Sequence, residues 1–127
     1  MSFYQDKVIW ITGASSGIGK SYAQYVNKLG SKVVLSARRT EVLEEVRLGL
    51  NFPDNAQTLT LDLEDYSEIS KKVDVATKLF GRVDILVNNG GLSQRSNVID
   101  TEMSVVEKLM KVNFLGTVAL TKAILPH

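Results

Sequence analysis

The chain has 127 residues, 44% of them hydrophobic and 23% charged, a balance that suits one globular domain able to bury a core. Fifteen Lys and Arg against fourteen Asp and Glu leave a net charge of +1 with the signs interspersed, so nothing favours nucleic acid or an anionic membrane as partner. The absence of cysteine excludes a disulfide framework and a thiolate metal site. No apolar run approaches the ~18 residues that span a bilayer, and the chain reads as soluble and cytoplasmic, with no metal expected.

Lys7-Val8-Ile9-Trp10-Ile11, ended by Thr12-Gly13, is a short continuous apolar run, the pattern of a strand covered on both faces. From Gly17 the apolar positions take helical spacing at Ile18, Tyr22, Val26 and Leu29, and Gly30 stands where a helix end favours a left-handed residue. Residues 32–37 predict a second strand. A helix over 41–50 places Val42, Leu43, Val46 and Leu50 inward, and Pro53-Asp54 marks a turn. A third strand over 58–61 ends at Asp62-Leu63. Ile69, Val73, Ala76 and Phe80 stripe a third helix closed by Gly81, and a fourth strand over 83–87 is broken by Asn88-Asn89-Gly90-Gly91. The last segment, 104–125, is apolar around much of its circumference and must be covered on more than one side. Trp10 and the Phe residues read as core.

Strands alternating with helices need crossover connections, and right-handed crossovers build a parallel sheet with helices on both faces. The expectation is α/β, the first half of a Rossmann-type doubly wound sheet with strand order 3-2-1-4. In that setting a glycine-rich turn opening a helix gathers backbone N–H groups and the positive helix end at one place, an anion site. Gly13 can take the angles of the tight turn, Gly17 lets a pyrophosphate approach the backbone, and Gly19 lets the helix lie close to the strand. The P-loop pattern fails: counting back from Gly19-Lys20-Ser21 puts Ala14 where its first glycine belongs.

At the end of the second strand a carboxylate would bind the ribose 2′-OH of NAD, whereas arginine accommodates the 2′-phosphate of NADP. The sequence has Ser36-Ala37-Arg38-Arg39 and no carboxylate before Glu41, which favours NADP(H) over NAD(H). The alternative is that both arginines merely solvate a loop.

Thr12-Gly13-x-x-x-Gly17-x-Gly19, Asp62-Leu63, Asn88-Asn89-Gly90-Gly91 and Val112-Asn113-x-x-Gly116 occur in order along the chain. Together they resemble the short-chain dehydrogenase/reductase superfamily, in its short single-domain branch. More narrowly, residues 88–96 and the final GTVALTKAILPH are similar to membrane-associated animal reductases of the retinal short-chain type. The resemblance implies that Gly13, Ser15, Ser16, Gly17, Ile18 and Gly19 line the pyrophosphate and adenosine ribose, with Arg38 and Arg39 on the 2′-phosphate. It implies that Asp62 accepts from the adenine amino group, that Leu63 flanks the ring, and that Asn89, Gly90 and Gly91 lie along the nicotinamide ribose. Asn113 would bend its helix and hold a water in the proton relay of an Asn-Ser-Tyr-Lys tetrad. Asp62 as a helix N-cap and Asn113 as a solvated helix residue remain open.

Gly90 replaces the alanine usual in the corresponding family motif, which should loosen that turn. None of Tyr4, Tyr22, Tyr25 and Tyr66 has a lysine four residues on, and His127, the only histidine, has no assigned role. Residues 1–127 therefore read as the NADP(H)-binding N-terminal part of a single such domain, truncated before the catalytic Ser and Tyr-x-x-x-Lys and inactive alone. The implied reaction is carbonyl/alcohol interconversion by hydride transfer on a small molecule. Alternatives are a non-catalytic NADP(H)-binding module or redox sensor, and an interaction protein using the last helix. The resemblance also implies a homodimer or homotetramer through 104–125. The polar loop 92–97 either lines an entrance to the substrate pocket or is ordinary surface.

Overall fold

A computed structural model describes residues 3–127. Its sheet has four parallel strands in the order β3-β2-β1-β4, with β1 at Val8–Thr12, β2 at Lys32–Ser36, β3 at Ala56–Thr58 and β4 at Ile85–Val87. Helices α1 (Gly17–Lys28), α2 (Thr40–Leu48) and α3 (Ile69–Leu79) make the crossovers. All five residues of β1 are buried, as a strand covered on both sides requires. Ile9 and Ile11 pack with Val33, Leu35, Leu43 and Val46 on one side of the sheet. Trp10 packs with Val34, Ile69, Val73 and Leu120 on the other. The Trp10 indole N–H is not stranded in that apolar layer, because it donates to the Ser36 hydroxyl at 2.8 Å.

Two strands begin or end differently from the apolar pattern, each for a visible reason. Beyond β3 the ladder continues irregularly, with the Leu59 N–H donating to the Leu35 carbonyl and the Leu61 N–H to that of Ala37, both at 2.9 Å. At the other edge the Asp84 N–H donates to the Val8 carbonyl, but the Val8 N–H donates to the Asp84 carboxylate at 2.8 Å. A side chain thus stands in for backbone pairing, and β4 starts at Ile85.

The inward face of α1 corrects the sequence reading. It consists of Gly19, Ala23, Val26 and Asn27, whereas Ile18 is 80% exposed and Tyr22 and Leu29 are only partly covered. Gly19 faces the sheet without a side chain because the helix starts so close to β1 that a Cβ there would stand 2.3 Å from the Gly13 carbonyl oxygen. The Phe expectation fails too: Trp10 is core, but Phe3, Phe52 and Phe114 are each at least half exposed.

The last segment is one rod in three parts: α4 (Met103–Met110), a π-turn (Lys111–Gly116) and α5 (Thr117–Ile124). Val112, Gly116, Leu120 and Ile124 form its buried stripe, while Met103, Met110, Phe114 and Val118 are exposed. Its apolar circumference is covered on one side only. No helix among the described residues is long and apolar enough to cross a membrane.

Candidate functional site

At the carboxyl ends of the strands lies a cleft of about 440 Å³, within the range of small-molecule sites. Such crevices are where open parallel sheets bind ligands. Its floor is the turn between β1 and α1. Gly13 (φ 63°) and Gly17 (φ 56°) adopt backbone angles that disfavour any side chain. The first turn of α1 has no acidic residue, and no side-chain hydrogen bond from its N-cap Ser16 occupies its amides. A Cβ at Gly17 would meet nothing within 4 Å, so space alone does not require glycine there and its left-handed φ does.

The turn is locked from behind by the loop after β4. The Asn89 side-chain amide donates to the Gly13 carbonyl at 3.2 Å. A Cβ at Gly19 would stand 2.3 Å from the Gly13 oxygen and 2.6 Å from that amide nitrogen. Thr12, 2% exposed, joins the two loops: its hydroxyl accepts the Asn89 N–H at 3.0 Å and the Gly90 N–H at 2.8 Å, and donates to the Val87 carbonyl at 3.3 Å. Gly90 therefore does not slacken its turn, and the space a methyl would need is taken by Leu63.

The wall on the β2 side carries Ser36, Ala37, Arg38 and Arg39. Both arginines are exposed, and neither forms an ion pair with a described carboxylate. Leu61, Asp62 and Leu63 continue that wall after β3. The Asp62 carboxylate accepts the Glu64 N–H at 3.0 Å, so it closes a local turn and caps no helix. On the β4 side stand Asn89, Gly90, Gly91 and Leu92, with Val112 reaching in from the π-turn.

Of the residues expected at a cofactor, the cleft wall brings together Gly13, Ser15, Ser16, Arg38, Arg39, Asp62, Leu63, Asn89, Gly90 and Gly91. Gly17, Ile18 and Gly19 lie off that wall, Gly19 beneath the turn and Ile18 on the outer face of α1. Asn113 is also off the wall and bonds to one of its members. Its Oδ1 accepts the Leu92 N–H and its Nδ2 donates to the Leu92 carbonyl, both at 2.7 Å. It is thus neither a freely solvated residue nor one turned onto its own helix backbone; it grips the loop after β4 as a neighbouring strand would. The π-turn around it, a distortion frequent at functional sites, accompanies this grip.

Thr12, Ser36, Ala37, Leu61, Leu92 and Val112 complete the wall without having been singled out as site residues. Ser36 and Ala37 flank the arginines and were findable by position. Val112 opens the quoted Val112-Asn113-x-x-Gly116 motif and Leu92 begins the loop 92–97, but that they meet at this wall depends on the helix packing across the β4 loop. Among the described residues no group of three or more His, Cys, Asp or Glu side chains could hold a metal ion.

Fold and cleft together define a parallel α/β sheet of the Rossmann type, with a glycine turn and two exposed arginines lining the cleft at its carboxyl edge. The chain belongs to the short-chain dehydrogenase family, whose model matches residues 7–127. It is 48% identical over 127 residues to human dehydrogenase/reductase SDR family member 7, covering 96% of this chain and 38% of that protein. Its fold is similar to a solved short-chain dehydrogenase from Streptomyces avermitilis, at a TM-score of 0.88 and 35% identity over 96% of this chain and 44% of that one. It is also similar to a metagenomic short-chain oxidoreductase solved in complex with NADP, at a TM-score of 0.85 and 29% identity over 97% and 57% of the two chains. The chain thus spans about two fifths of the length of the curated relatives it matches.

Proposed function

We propose that the chain forms the NADP(H)-binding part of an oxidoreductase that interconverts a carbonyl and an alcohol on a small molecule. The observation that carries this reading is the pairing of two unengaged guanidinium groups, Arg38 and Arg39, with the glycine turn and the N-cap Ser16 of α1 on the same cleft wall. The residues fit such a cofactor: the amides of Gly17 and its neighbours suit a pyrophosphate, and planar guanidinium groups suit a phosphate monoester. A carboxylate able to bind a free 2′-OH is missing from 36–40.

In this reading Asp62 and Leu63 face the adenine, and Asn89, Gly90 and Gly91 lie along the nicotinamide ribose. When bound, the nicotinamide supplies hydride transfer. The chain's part is to fix the reactants' positions, and Asn113 contributes by holding Leu92 at the reacting end of the cleft. One lone pair on its Oδ1 and one hydrogen on its Nδ2 remain after both bonds to Leu92, enough to hold a water that relays a proton. The bare apolar side of the last rod, with Met110, Phe114 and Val118 exposed, supports a homo-oligomer formed through 104–125.

Titrating NADPH and NADH by fluorescence tests the assignment. The protein should bind NADPH more tightly, and Arg38→Asp should reverse the preference by placing a carboxylate against the 2′ position. Equal affinity of the unmodified protein for both cofactors would refute it.

A further inference from the structure

Asn89-Gly90 is the only Asn-Gly step in the chain, and it arises because glycine stands where the related motif usually has alanine. An asparagine followed by glycine is prone to cyclise, since no Cβ hinders the next amide nitrogen from reaching the asparagine Cγ. In the structure both reactants are restrained. The Gly90 N–H donates to the Thr12 hydroxyl oxygen at 2.8 Å, and that oxygen also accepts the Asn89 N–H and gives its own proton to the Val87 carbonyl. With both lone pairs taken, it holds the amide proton rather than removing it. The Asn89 side chain is turned to the other loop, with Nδ2 donating to the Gly13 carbonyl at 3.2 Å. That amide fills space other side chains would need: a Cβ at Gly13 would stand 2.8 Å from Nδ2, and one at Gly19 2.6 Å. Neither Asn89 nor Gly90 belongs to a helix or strand, so these bonds, and no regular ladder, restrain the step.

We propose that Asn89 is a latent modification site, a succinimide-forming step held shut by Thr12 and the Gly13 carbonyl, whose conversion to a carboxylate disables the glycine turn. When the loop opens, the Gly90 nitrogen attacks Asn89 Cγ. The N–Cγ bond forms, Cγ–Nδ2 breaks, and Nδ2 departs as ammonia with the Gly90 amide proton. Water then opens the ring at either carbonyl and leaves aspartate or isoaspartate; nothing is oxidised or reduced. The new carboxylate has no hydrogen to offer Gly13, so oxygen faces oxygen where a bond had joined the two loops. It also adds a negative charge to the cleft wall that carries Asn89. On the dinucleotide reading, on which this last consequence alone rests, that charge opposes the cofactor's phosphates.

The protein is incubated in native buffer and in guanidinium chloride, and the Asn89 peptide is followed by mass spectrometry for the change from amide to acid. Conversion should be at least about tenfold slower in the folded protein, because it waits on local opening. Thr12→Val should speed the native reaction about tenfold, the factor that loss of one hydrogen bond allows, and should match the original protein once both are denatured. Thr12→Ser should keep the slow native rate. Equal rates in folded and denatured protein, a folded Thr12→Val protein with the original rate, or a denatured chain that keeps Asn89 intact overturns the proposal. If Thr12→Val does not fold, sub-denaturing guanidinium on the original protein replaces it: conversion should rise in step with hydrogen exchange at the Gly90 amide, and a rate independent of that exchange overturns the proposal. Asn89→Asp, the product itself, should melt below the original without ligand and bind NADPH about tenfold more weakly. An unchanged melting temperature refutes the disabling of the turn. Failure of the original protein to bind NADPH counts against the dinucleotide reading alone, since the conversion rates and the melting use no cofactor.

Discussion

Replacing Thr12 by valine keeps the shape of a side chain that is 2% exposed and removes only its hydroxyl. That oxygen accepts from the Gly90 N–H at 2.8 Å and the Asn89 N–H at 3.0 Å, and gives its proton to the Val87 carbonyl at 3.3 Å. The three bonds are not equivalent. The Asn89 N–H also points to the Val87 carbonyl at 3.0 Å and would keep that partner, whereas the Gly90 N–H would lose its acceptor. One donor left without a partner in a partly buried turn costs about 1–3 kcal/mol, and the longer bond to Val87 adds little. Partial access of water to the turn argues for the lower part of that range, about 1–2 kcal/mol, or a fall in melting temperature of about 4–8 °C for a chain of this size. Urea unfolding measures the loss, and hydrogen exchange at the Gly90 amide locates it. Thr12→Ser keeps all three bonds and should retain the amide's protection, although the buried methyl it drops is worth about 0.8 kcal/mol. A Thr12→Val protein within about 0.5 kcal/mol of the original, with the Gly90 amide still protected, would show that the hydroxyl does not tie the two loops together.

Two further substitutions probe the same scaffold. Gly19→Ala adds a helix-favouring residue, a gain of about 1 kcal/mol, but drives a Cβ to 2.3 Å from the Gly13 carbonyl oxygen. Overpacking of about 1–3 kcal/mol against backbone should prevail, so the melting temperature should fall; a rise would contradict the close approach of α1 to β1. At Asp84, burial pushes the carboxyl upward, but the Val8 N–H and the Arg82 guanidinium outweigh it and hold the group below its usual value. Its stabilising contribution is complete above the unfolded carboxyl value of about 3.9 and disappears as pH falls through the lower folded value. Asp84→Asn should flatten the acid limb of stability against pH, and an unchanged limb in urea titrations across that range would refute the assignment.

Much of the architecture is written in local patterns. The continuous run Val8–Thr12 marks a central strand, the stripe Ile69, Val73 and Ala76 is the buried face of α3, and the alternation of such runs yields the parallel order 3-2-1-4. Periodicity misleads at α1, where Ile18 and Tyr22 fit an apolar stripe yet Gly19 and Ala23 face the sheet. Apolar counting rewards size, and a helix that crosses within contact of a strand rewards its absence. The arginines after β2 were legible because their place follows from the end of a strand. The partner of Asn113 was not, since the 21 residues that separate it from Leu92 are bridged only by how the last rod lies across the β4 loop. The exposed Phe residues teach the converse: composition identifies what can be buried, and only packing decides which of it is.

Trp10 is the single tryptophan of the chain, fully enclosed, with its indole N–H on the Ser36 hydroxyl. Ser36 is at once a wall residue of the cleft and, through its carbonyl, the acceptor of the Ala14 N–H in the glycine turn. The tryptophan emission of these 127 residues is therefore that of one water-shielded indole joined by a single hydrogen bond to the rim of the cleft. The fold supplies its own optical reporter, placed one residue-to-residue contact from the cleft wall and fixed by the central strand.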